Sequence, residues 1–323
     1  MTNHSPPLPP FLLETLYQPR VWGGLRMGDG SRPIGEAWGA YEGNRIASGA
    51  LDGMALGEAC RHHATQILGE PVVARFGPRF PILTKLLDTR EWLSVQLHPN
   101  DEQARRLEGP DQVGKTEAWH LLETEAGAEI ILGLQGGVDT DEFASAVHEG
   151  RTLDVIARQR AEAGDTWFIP AGTVHALGPG LFLYEVQQAS DITYRVYDWD
   201  RPASAGRELH LAQSIECVAA SAGERRPASE PQPGVLERLA TSEYFSLDRL
   251  YLDDQSAATL DTVSASFHAL TSTGQSVRVQ SGAHEIEIPA FGTALVPAVA
   301  GAYTVQASAA VALMVASAPY AST

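Results

Sequence analysis

The sequence predicts a mainly β protein built from two β-barrel domains. Short segments rich in β-branched and aromatic residues recur between turns, as at residues 166–169, 181–187 and 192–198. The last third of the chain continues this pattern at fairly even spacing, which is typical of a sandwich or small barrel. Both halves also contain an apolar run that ends in Ile-Pro-Ala, at 169–171 and 288–290, and two related barrels would explain this repeat.

The length of 323 residues suits two domains better than one. Residues 221–234 contain three prolines and no apolar anchor, so we expect a solvated linker there. We therefore expect a first domain over residues 1–220 and a second β-domain over residues 235–323. The proline-rich residues 1–10 predict a poorly ordered tail.

Four segments of the first domain predict helices. Residues 54–75 show a moderate helical pattern of apolar residues. Asn100 is a good N-cap for a short helix up to residue 108. Residues 139–150 and 152–163 predict two more helices in succession.

Composition narrows the class of partner. The net charge of −17 disfavours binding to nucleic acid or to an anionic membrane, so we expect a small-molecule partner. No apolar run approaches the roughly 20 residues of a membrane helix, and the N-terminus does not look like a signal peptide. Cys60 and Cys217 are the only cysteines, which fits a reducing cytoplasm. The oligomeric state has no signature in the sequence.

Residues 92–98 form the central motif of the first domain. Their apolar and polar residues alternate as in a strand, so Gln96 and His98 project from the same face. Pro99 then ends the strand because it has no N–H to donate. Polar strand residues ordinarily face water, and an isolated Gln-x-His would be interpreted in that way.

Two residues outside this strand favour a metal site instead. Glu117 in Gly-Lys-Thr-Glu and His175 in Pro-Ala-Gly-Thr-Val-His can supply a third and a fourth ligand. With Gln96 and His98 they form a mixed nitrogen and oxygen set that suits zinc and would also accept manganese, iron or cobalt. The set contains no thiolate, so it suits a Lewis acid better than a purely structural zinc ion.

Lysine is rare in this chain, and both lysines lie near the central motif. Of the 23 basic residues, only Lys85 and Lys115 are lysines. Lysine is a compact point charge that can lose its proton, and arginine is neither. This placement favours a functional role for both residues over chance.

A second polar stretch lies on the strands that follow. Glu185 and Arg195 belong to neighbouring predicted strands, so they can face one cavity. Arg195 and Arg201, with the two lysines, are the positive charges that a phosphate would need in this acidic chain. A salt bridge between Arg195 and Asp191 or Asp198 is an equally good interpretation of this segment.

Seven motifs together resemble the type I mannose-6-phosphate isomerase family, also called phosphomannose isomerases, in its shorter bacterial form. They occur in the family's order over about residues 17–201 and are Trp22-Gly-Gly, Gly35-Glu-Ala-Trp38, Phe80-Pro-Ile-Leu-Thr-Lys85, Leu93-Ser-Val-Gln-Leu-His-Pro-Asn-Asp101, Gly114-Lys-Thr-Glu-Ala-Trp119, Pro170-Ala-Gly-Thr-Val-His-Ala-Leu177 and Gln187-Gln-Ala-Ser-Asp-Ile-Thr-Tyr-Arg-Val-Tyr-Asp198. The last third resembles the family only as a generic β-domain.

The resemblance implies a cupin fold, in which two jelly-roll barrels carry short helices inserted in the N-terminal catalytic half. It implies one zinc ion held by four residues, Gln96, His98, Glu117 and His175. It also implies an active-site arginine at Arg195 and a substrate pocket lined by Lys115, Glu185 and Arg201. Longer relatives have a lysine at the position of Arg201.

The activity implied by the resemblance is the interconversion of mannose 6-phosphate and fructose 6-phosphate through a cis-enediolate. A metal can stabilise the charge of that intermediate, while a base moves the proton between C1 and C2. Glu185, Lys115 and a metal-held water are the candidates for this base. A metal-dependent cupin enzyme of other chemistry and a non-catalytic sugar-phosphate sensor are the alternatives.

Overall fold

A computed structural model describes residues 8–201, 207–220 and 223–320. Residues 1–7 of the expected tail and 221–222 of the expected linker lie outside the described residues. In the described part of the chain, no helix is long and apolar enough to span a bilayer.

The described strands are, in chain order, β1 Phe11–Leu13, β2 Leu16–Gln18, β3 Glu36–Ala40, β4 Ile82–Thr89, β5 Val95–Leu97, β6 Glu117–Thr124, β7 Glu129–Leu134, β8 Ile156–Arg160, β9 Thr166–Ile169, β10 His175–Leu177, β11 Leu181–Gln188, β12 Tyr194–Tyr197, β13 Glu224–Arg226, β14 Leu236–Thr241, β15 Ser246–Leu252, β16 Ala257–Asp261, β17 His268–Ser272, β18 Val277–Ser281, β19 His284–Ile288, β20 Thr293–Val296, β21 Ala302–Ala307 and β22 Val311–Ser317. The described α-helices are α1 Leu56–His62, α2 Ala64–Leu68, α3 Glu70–Phe76, α4 Asp101–Leu107, α5 Thr140–His148 and α6 Leu211–Cys217.

The chain divides into two compact units. Unit 1 comprises Met1–Leu16, Ala37–Leu86 and Glu230–Thr323, and unit 2 comprises Tyr17–Glu36 and Leu87–Ser229. This grouping differs from the expected domain ranges, because residues 37–86 belong with the C-terminal part of the chain.

Packing within unit 1 explains that difference. Strand β1 pairs with β20, which ties the start of the chain into the C-terminal sheet. Gly69, between α2 and α3, lies against the backbone of Ala265, so closely that a Cβ would be 2.3 Å from the carbonyl oxygen. Such contacts join residues that are distant in sequence, so no local sequence pattern predicts them.

Two antiparallel sheets of unit 1 share an apolar core. The order of the larger sheet is β1-β20-β17-β22-β15-β14, and that of the smaller is β16-β21-β18-β19. Both sheets contribute buried side chains to the core, among them Leu270 and Leu313 from the larger sheet and Val279 and Val305 from the smaller. The short, evenly spaced segments that predicted a sandwich or barrel in the last third are thus strands that contribute buried side chains to a shared core.

Unit 2 also contains two sheets, and their facing sides enclose a core. The order of one sheet is β12-β5-β10-β7-β8. The other sheet contains β13-β9-β6-β11, followed by β4, whose residues 87–89 belong to this unit. Leu132 and Leu177 from the first sheet and Trp119, Trp167 and Leu183 from the second lie in this core.

Helices cover the other side of the five-stranded sheet in unit 2. Val95 and Leu97 of β5 belong to a cluster with Phe143 of α5 and Cys217 of α6. Side chains alternate along a strand, so Gln96 must project from the opposite, core-facing side of the sheet. Burial of Val95 and Leu97 under the helices therefore fixes the orientation of the polar motif residue.

The expected helices over residues 100–108 and 139–150 are confirmed, the first with its expected cap Asn100. The amide N–H of Gln103 donates to Oδ1 of Asn100 and that of Asn100 donates to Oε1 of Gln103, each at 2.9 Å, which is a capping box for α4. The side chain of Asp139 accepts from the first-turn amides of α5. The helical pattern over 54–75 corresponds to three short helices, α1 to α3.

The expected helix over residues 152–163 is wrong. One turn of 3₁₀ helix at Thr152–Asp154 is followed by β8, which pairs with β7 at the sheet edge. Ladder hydrogen bonds with β7 outweigh the helix propensity of the Ala, Arg and Gln residues. Within the expected linker, residues 224–226 form the largely exposed strand β13, which pairs with β9.

Candidate metal and active site

Three of the expected metal ligands form a buried cluster in unit 2. His98, Glu117 and His175 are each about 1% exposed, and one ligand atom from each lies within 4.8 Å of the others. The Nε2 atom of His98 is 3.4 Å from Oε2 of Glu117, and Nε2 of His175 is 3.4 Å from Oε1 of the same carboxylate. The strands β5, β6 and β10 thus bring together residues from three separate motifs.

The fourth expected ligand, Gln96, belongs to a row of paired residues across three strands. Gln96 pairs with His175 on one side and with Arg195 on the other. Directly paired residues of antiparallel strands share a face, so all three side chains project towards the core. Gln96 Nε2 lies 3.4 Å from His175 Nε2, and Ser94 Oγ donates to Gln96 Oε1 at 3.0 Å. A half-turn of the terminal amide exchanges these two atoms and presents the oxygen to the cluster.

Backbone carbonyls orient both imidazoles for metal binding. Nδ1 of His98 donates to the carbonyl oxygen of Ile192, and Nδ1 of His175 donates to that of Thr173, each at 2.8 Å. The Nε2 lone pairs are therefore left for the cluster. Burial lowers the pKa of His98 to about 3 and also lowers the pKa of His175, so both rings are neutral at physiological pH.

The charge of Glu117 is set by its neighbours. Burial alone would raise its pKa, but the neighbouring Lys115 ammonium lowers that pKa well below its ordinary value. The cluster therefore offers two neutral imidazoles and one carboxylate. This is a donor set that fits zinc and other divalent cations of similar preference.

Lys115 lies in contact with the cluster. Its Nζ is 3.1 Å from Oε2 of Glu117 and 3.0 Å from Nε2 of His98. The close approach of Gly114 to the chain at Asn100 positions this lysine, because a Cβ on Gly114 would lie 2.6 Å from the Asn100 carbonyl carbon. The Lys115 amide also donates to the Pro99 carbonyl at 3.0 Å.

A network that the sequence did not reveal holds the same segment. The amide of Thr116 donates to Oε1 of Gln188, and Nε2 of Gln188 donates to Oδ1 of Asp101, each at 2.9 Å. The amide of Gly114 donates to the same Asp101 oxygen at 2.7 Å. Both side chains occur in the motifs quoted above, but nothing in their spacing indicates that they meet.

Glu185 lies close to the cluster through Trp119. The two residues are paired on β11 and β6, and the Trp119 indole N–H donates to Oε2 of Glu185 at 3.0 Å. The Trp119 ring meets that of His175 edge-on at 5.5 Å. Glu117 and Trp119 share one face of β6, so Glu185 also projects towards the core.

Arg195 is half-buried and only partly bonded. Its Nη1 donates to the carbonyl of Glu208 at 2.9 Å, and its Nε is buried without a hydrogen-bond partner among the described residues. Burial, together with nearby Arg207, lowers its pKa from the ordinary value. The described side chains show no salt bridge between Arg195 and Asp191 or Asp198, which was the alternative interpretation.

Asp198 pairs with two other arginines. Arg201 Nη1 is 3.0 Å from Asp198 Oδ1, and Arg207 Nε is 2.6 Å from Oδ2. Arg201 also contacts Glu91 at 3.1 Å, so its charge is already balanced. Both arginines line a surface cavity of about 530 Å³. Arg207 was missed from the sequence because it belongs to no motif.

The remaining expected residue, Lys85, belongs to unit 1. It is buried on β4, and its Nζ lies 5.7 Å from the centroid of the Trp38 ring. This is a cation–π contact, and it brings together two of the motifs identified in the sequence.

Fold and site together define a β-barrel protein with a buried His–Glu–His cluster suited to a divalent metal. Residues 12–121 match the family described as phosphomannose isomerase type I, catalytic domain. Mannose-6-phosphate isomerase ManA of Bacillus subtilis is 37% identical over 220 residues, which cover 65% of this chain and 68% of that protein. The chain belongs to the type I mannose-6-phosphate isomerase family.

Solved structures agree with this assignment. The mannose 6-phosphate isomerase crystal structure from Bacillus subtilis has a TM-score of 0.81 and 27% identity, and covers 96% of this chain and 99% of that one. A zinc-bound mannose 6-phosphate isomerase structure has a TM-score of 0.74 at 15% identity, covering 95% and 99% of the two chains, and shares the fold. The expected cupin fold is confirmed.

Proposed function

We propose that this protein is a metal-dependent aldose–ketose isomerase that interconverts mannose 6-phosphate and fructose 6-phosphate. The observation that carries the proposal is the buried cluster of two neutral imidazoles and a carboxylate, with Lys115 in contact and Glu185 one side chain away. The names of its relatives in the family support the same substrate.

Zinc is the proposed metal, held by His98, Glu117, His175 and the amide oxygen of Gln96. The fixed Nδ1 donors of both histidines and the approach of both Nε2 atoms to 3.4 Å from the Glu117 carboxylate support this fit. Bound zinc would supply a Lewis acid for the sugar oxygens; manganese, cobalt or iron could serve in the same set.

The groups around the cluster must move one proton between C2 and C1 and a second proton between the oxygens of the same two carbons. Going from the aldose to the ketose, a base removes the C2 proton and the same or another acid delivers a proton to C1. Glu185 and Lys115 are the side chains proposed for this transfer, and a held water remains the third candidate. Arg195 is proposed to stabilise the developing enediolate, because its guanidinium is half-buried and its Nε has no hydrogen-bond partner among the described residues.

The substrate is anionic, and we propose that Lys85 and Arg201 contribute to its binding. The partner is then a small sugar phosphate, and the acidic chain argues against nucleic acid. Cys60 and Cys217 are both buried and unpaired, which supports the expectation of a cytoplasmic enzyme. A sensor would not need a buried Lewis-acid site, so this alternative is not favoured.

Direct observation of the reaction tests the proposal. The purified protein, incubated with mannose 6-phosphate, should form fructose 6-phosphate, as followed by NMR. Unphosphorylated mannose is the matched control and should react far more slowly, because the site charges have no phosphate to bind. Absence of conversion by protein with its metal bound would contradict the proposed activity.

A further inference from the structure

Gln187 on β11 is a fully buried amide whose oxygen has no partner in the part of the chain that the structure describes. The side chain is 0% exposed, and its Nε2 donates to the carbonyl of Gln188 at 3.0 Å and to the carbonyl of Ser190. Its Oε1 atom is buried and accepts no hydrogen bond from any described residue. Burying an unpaired amide oxygen is costly, so it calls for a donor.

The orientation of this amide is fixed by its partners. Carbonyl oxygens only accept hydrogen bonds, so the nitrogen of Gln187 must face Gln188 and Ser190. The Gln96 amide can be rotated by a half-turn, but the Gln187 amide cannot. The same rotation at Gln187 would place its oxygen against the two carbonyl oxygens, and two acceptors do not form a hydrogen bond. The free atom is therefore an acceptor, and it requires an O–H or N–H donor.

The strand register places Gln187 beside the metal cluster. Gln187 is the direct partner of Glu117 across β11 and β6, so the two side chains share a face. Glu185 lies two residues earlier on β11 and shares that face as well. The carboxylates of Glu117 and Glu185 are acceptors, so neither can satisfy the amide oxygen of Gln187.

Lys115 and Trp119 already donate to Glu117 and Glu185, so the oxygen of Gln187 is the acceptor on this face that has no donor among the described residues. A sugar phosphate brings a series of hydroxyl groups, each of which donates one hydrogen bond. We propose that Gln187 is a further substrate-binding residue, whose Oε1 accepts a hydrogen bond from one sugar hydroxyl. The proposal deepens the proposed isomerase function and rests on it for the class of substrate.

Binding of a non-isomerisable open-chain polyol tests this separately from turnover. The dissociation constants of mannitol 6-phosphate and of its mono-deoxy analogues are measured by calorimetry on the zinc-loaded wild type and on Gln187→Met. We expect the variant to bind mannitol 6-phosphate about tenfold more weakly, as loss of one buried hydrogen bond predicts. One deoxy analogue lacks the hydroxyl that bonds to Gln187. The wild type and Gln187→Met should bind that analogue with equal affinity.

Two further variants separate recognition from loss of structure. Gln187→Asn keeps the amide but withdraws it by one methylene, and it should show the same selective loss. Val186→Ala alters the neighbouring buried position on the opposite face of β11, and it should keep the full hydroxyl preference of the wild type. Zinc content and melting temperature are recorded for every variant.

The outcomes separate the two proposals. Equal weakening of all analogues in Gln187→Met would mean that an ordered water satisfies the amide oxygen, and would overturn the assignment. Failure of the wild type to bind any of these polyol phosphates would overturn it too. Selective binding without isomerisation of mannose 6-phosphate would support Gln187 and reject the isomerase function alone.

Discussion

The ammonium nitrogen of Lys115 lies 3.0 Å from Nε2 of His98, the ring nitrogen that faces the metal cluster. The same nitrogen is 3.1 Å from Glu117 Oε2, so the lysine contacts the same atoms that would bind a divalent cation. The Lys115 ammonium and a bound metal ion would compete for these lone pairs, and their charges would repel each other strongly in a site with little screening. Lys115 therefore opposes metal binding as well as serving as a candidate for proton transfer.

Removing this charge should strengthen metal binding. We expect Lys115→Met to bind zinc several-fold more tightly than the wild type, because a buried like charge has been removed, and to turn over more slowly. Competition with a chromogenic chelator measures the affinity. Arg160→Met removes an exposed positive charge of the same unit and should leave zinc affinity unchanged. Weaker zinc binding by Lys115→Met would show that the lysine supports the site.

The network at Gln188 should matter for metal binding although it touches no ligand atom. Gln188→Met removes the acceptor for the Thr116 amide and the link to Asp101, which releases the segment that carries Glu117. We expect zinc affinity to fall about tenfold, as for other groups that orient metal ligands. Gln112→Met, an exposed position in the same loop, is the matched control. Unchanged zinc affinity in both variants would show that Gln188 does not support metal binding.

Arg195 should act on catalysis and not on the metal. We expect Arg195→Ala to keep normal zinc content and to lose turnover by a factor on the order of 100 or more, as lost charge stabilisation often causes. Arg201→Ala should have a smaller effect, because that guanidinium is already paired with Asp198 and Glu91. Metal analysis and steady-state kinetics on both variants measure this. Full activity of Arg195→Ala would refute the role.

Buried neutral histidines should make the metal-free protein sensitive to acid. Burial lowers the pKa of His98 to about 3 and that of His268 to about 4, below the ordinary value near 6.5. Between pH 6.5 and 5.5 the unfolded chain binds more protons than the folded chain, so the free energy of unfolding falls as the pH falls. Each histidine contributes up to about 1.4 kcal/mol per pH unit in this window.

Urea unfolding in the presence of a chelator measures this dependence. His268→Gln should show a shallower fall between pH 6.5 and 5.5, because one of the buried bases is gone. His63→Gln, at a half-buried histidine, is the matched control. A stability that is constant or higher at pH 5.5 would contradict the prediction.

The sequence anticipated those features that depend on local pattern. Alternation over residues 92–98 predicted that Gln96 and His98 project from one face, and Asn100 predicted the start of α4. The cluster of His98, Glu117 and His175 was expected from three motifs, and the structure brings them together.

Features that depend on partners distant in sequence were not predictable from such patterns. Residues 156–160 became a strand only because β7 offers an edge to pair with. Residues 37–86 group with the C-terminal unit through contacts such as that of Gly69 with Ala265. The unpaired oxygen of Gln187 is visible only once its neighbours are placed.

Zinc titration of the metal-free protein tests the central claim most directly. Turnover of mannose 6-phosphate is followed as zinc is added, and the bound metal is measured at each step. We expect turnover to be absent without metal and to rise to a plateau at one zinc ion per chain, with no such rise in Glu117→Gln. Full turnover in metal-free protein, or one bound zinc ion with no turnover, would contradict the account.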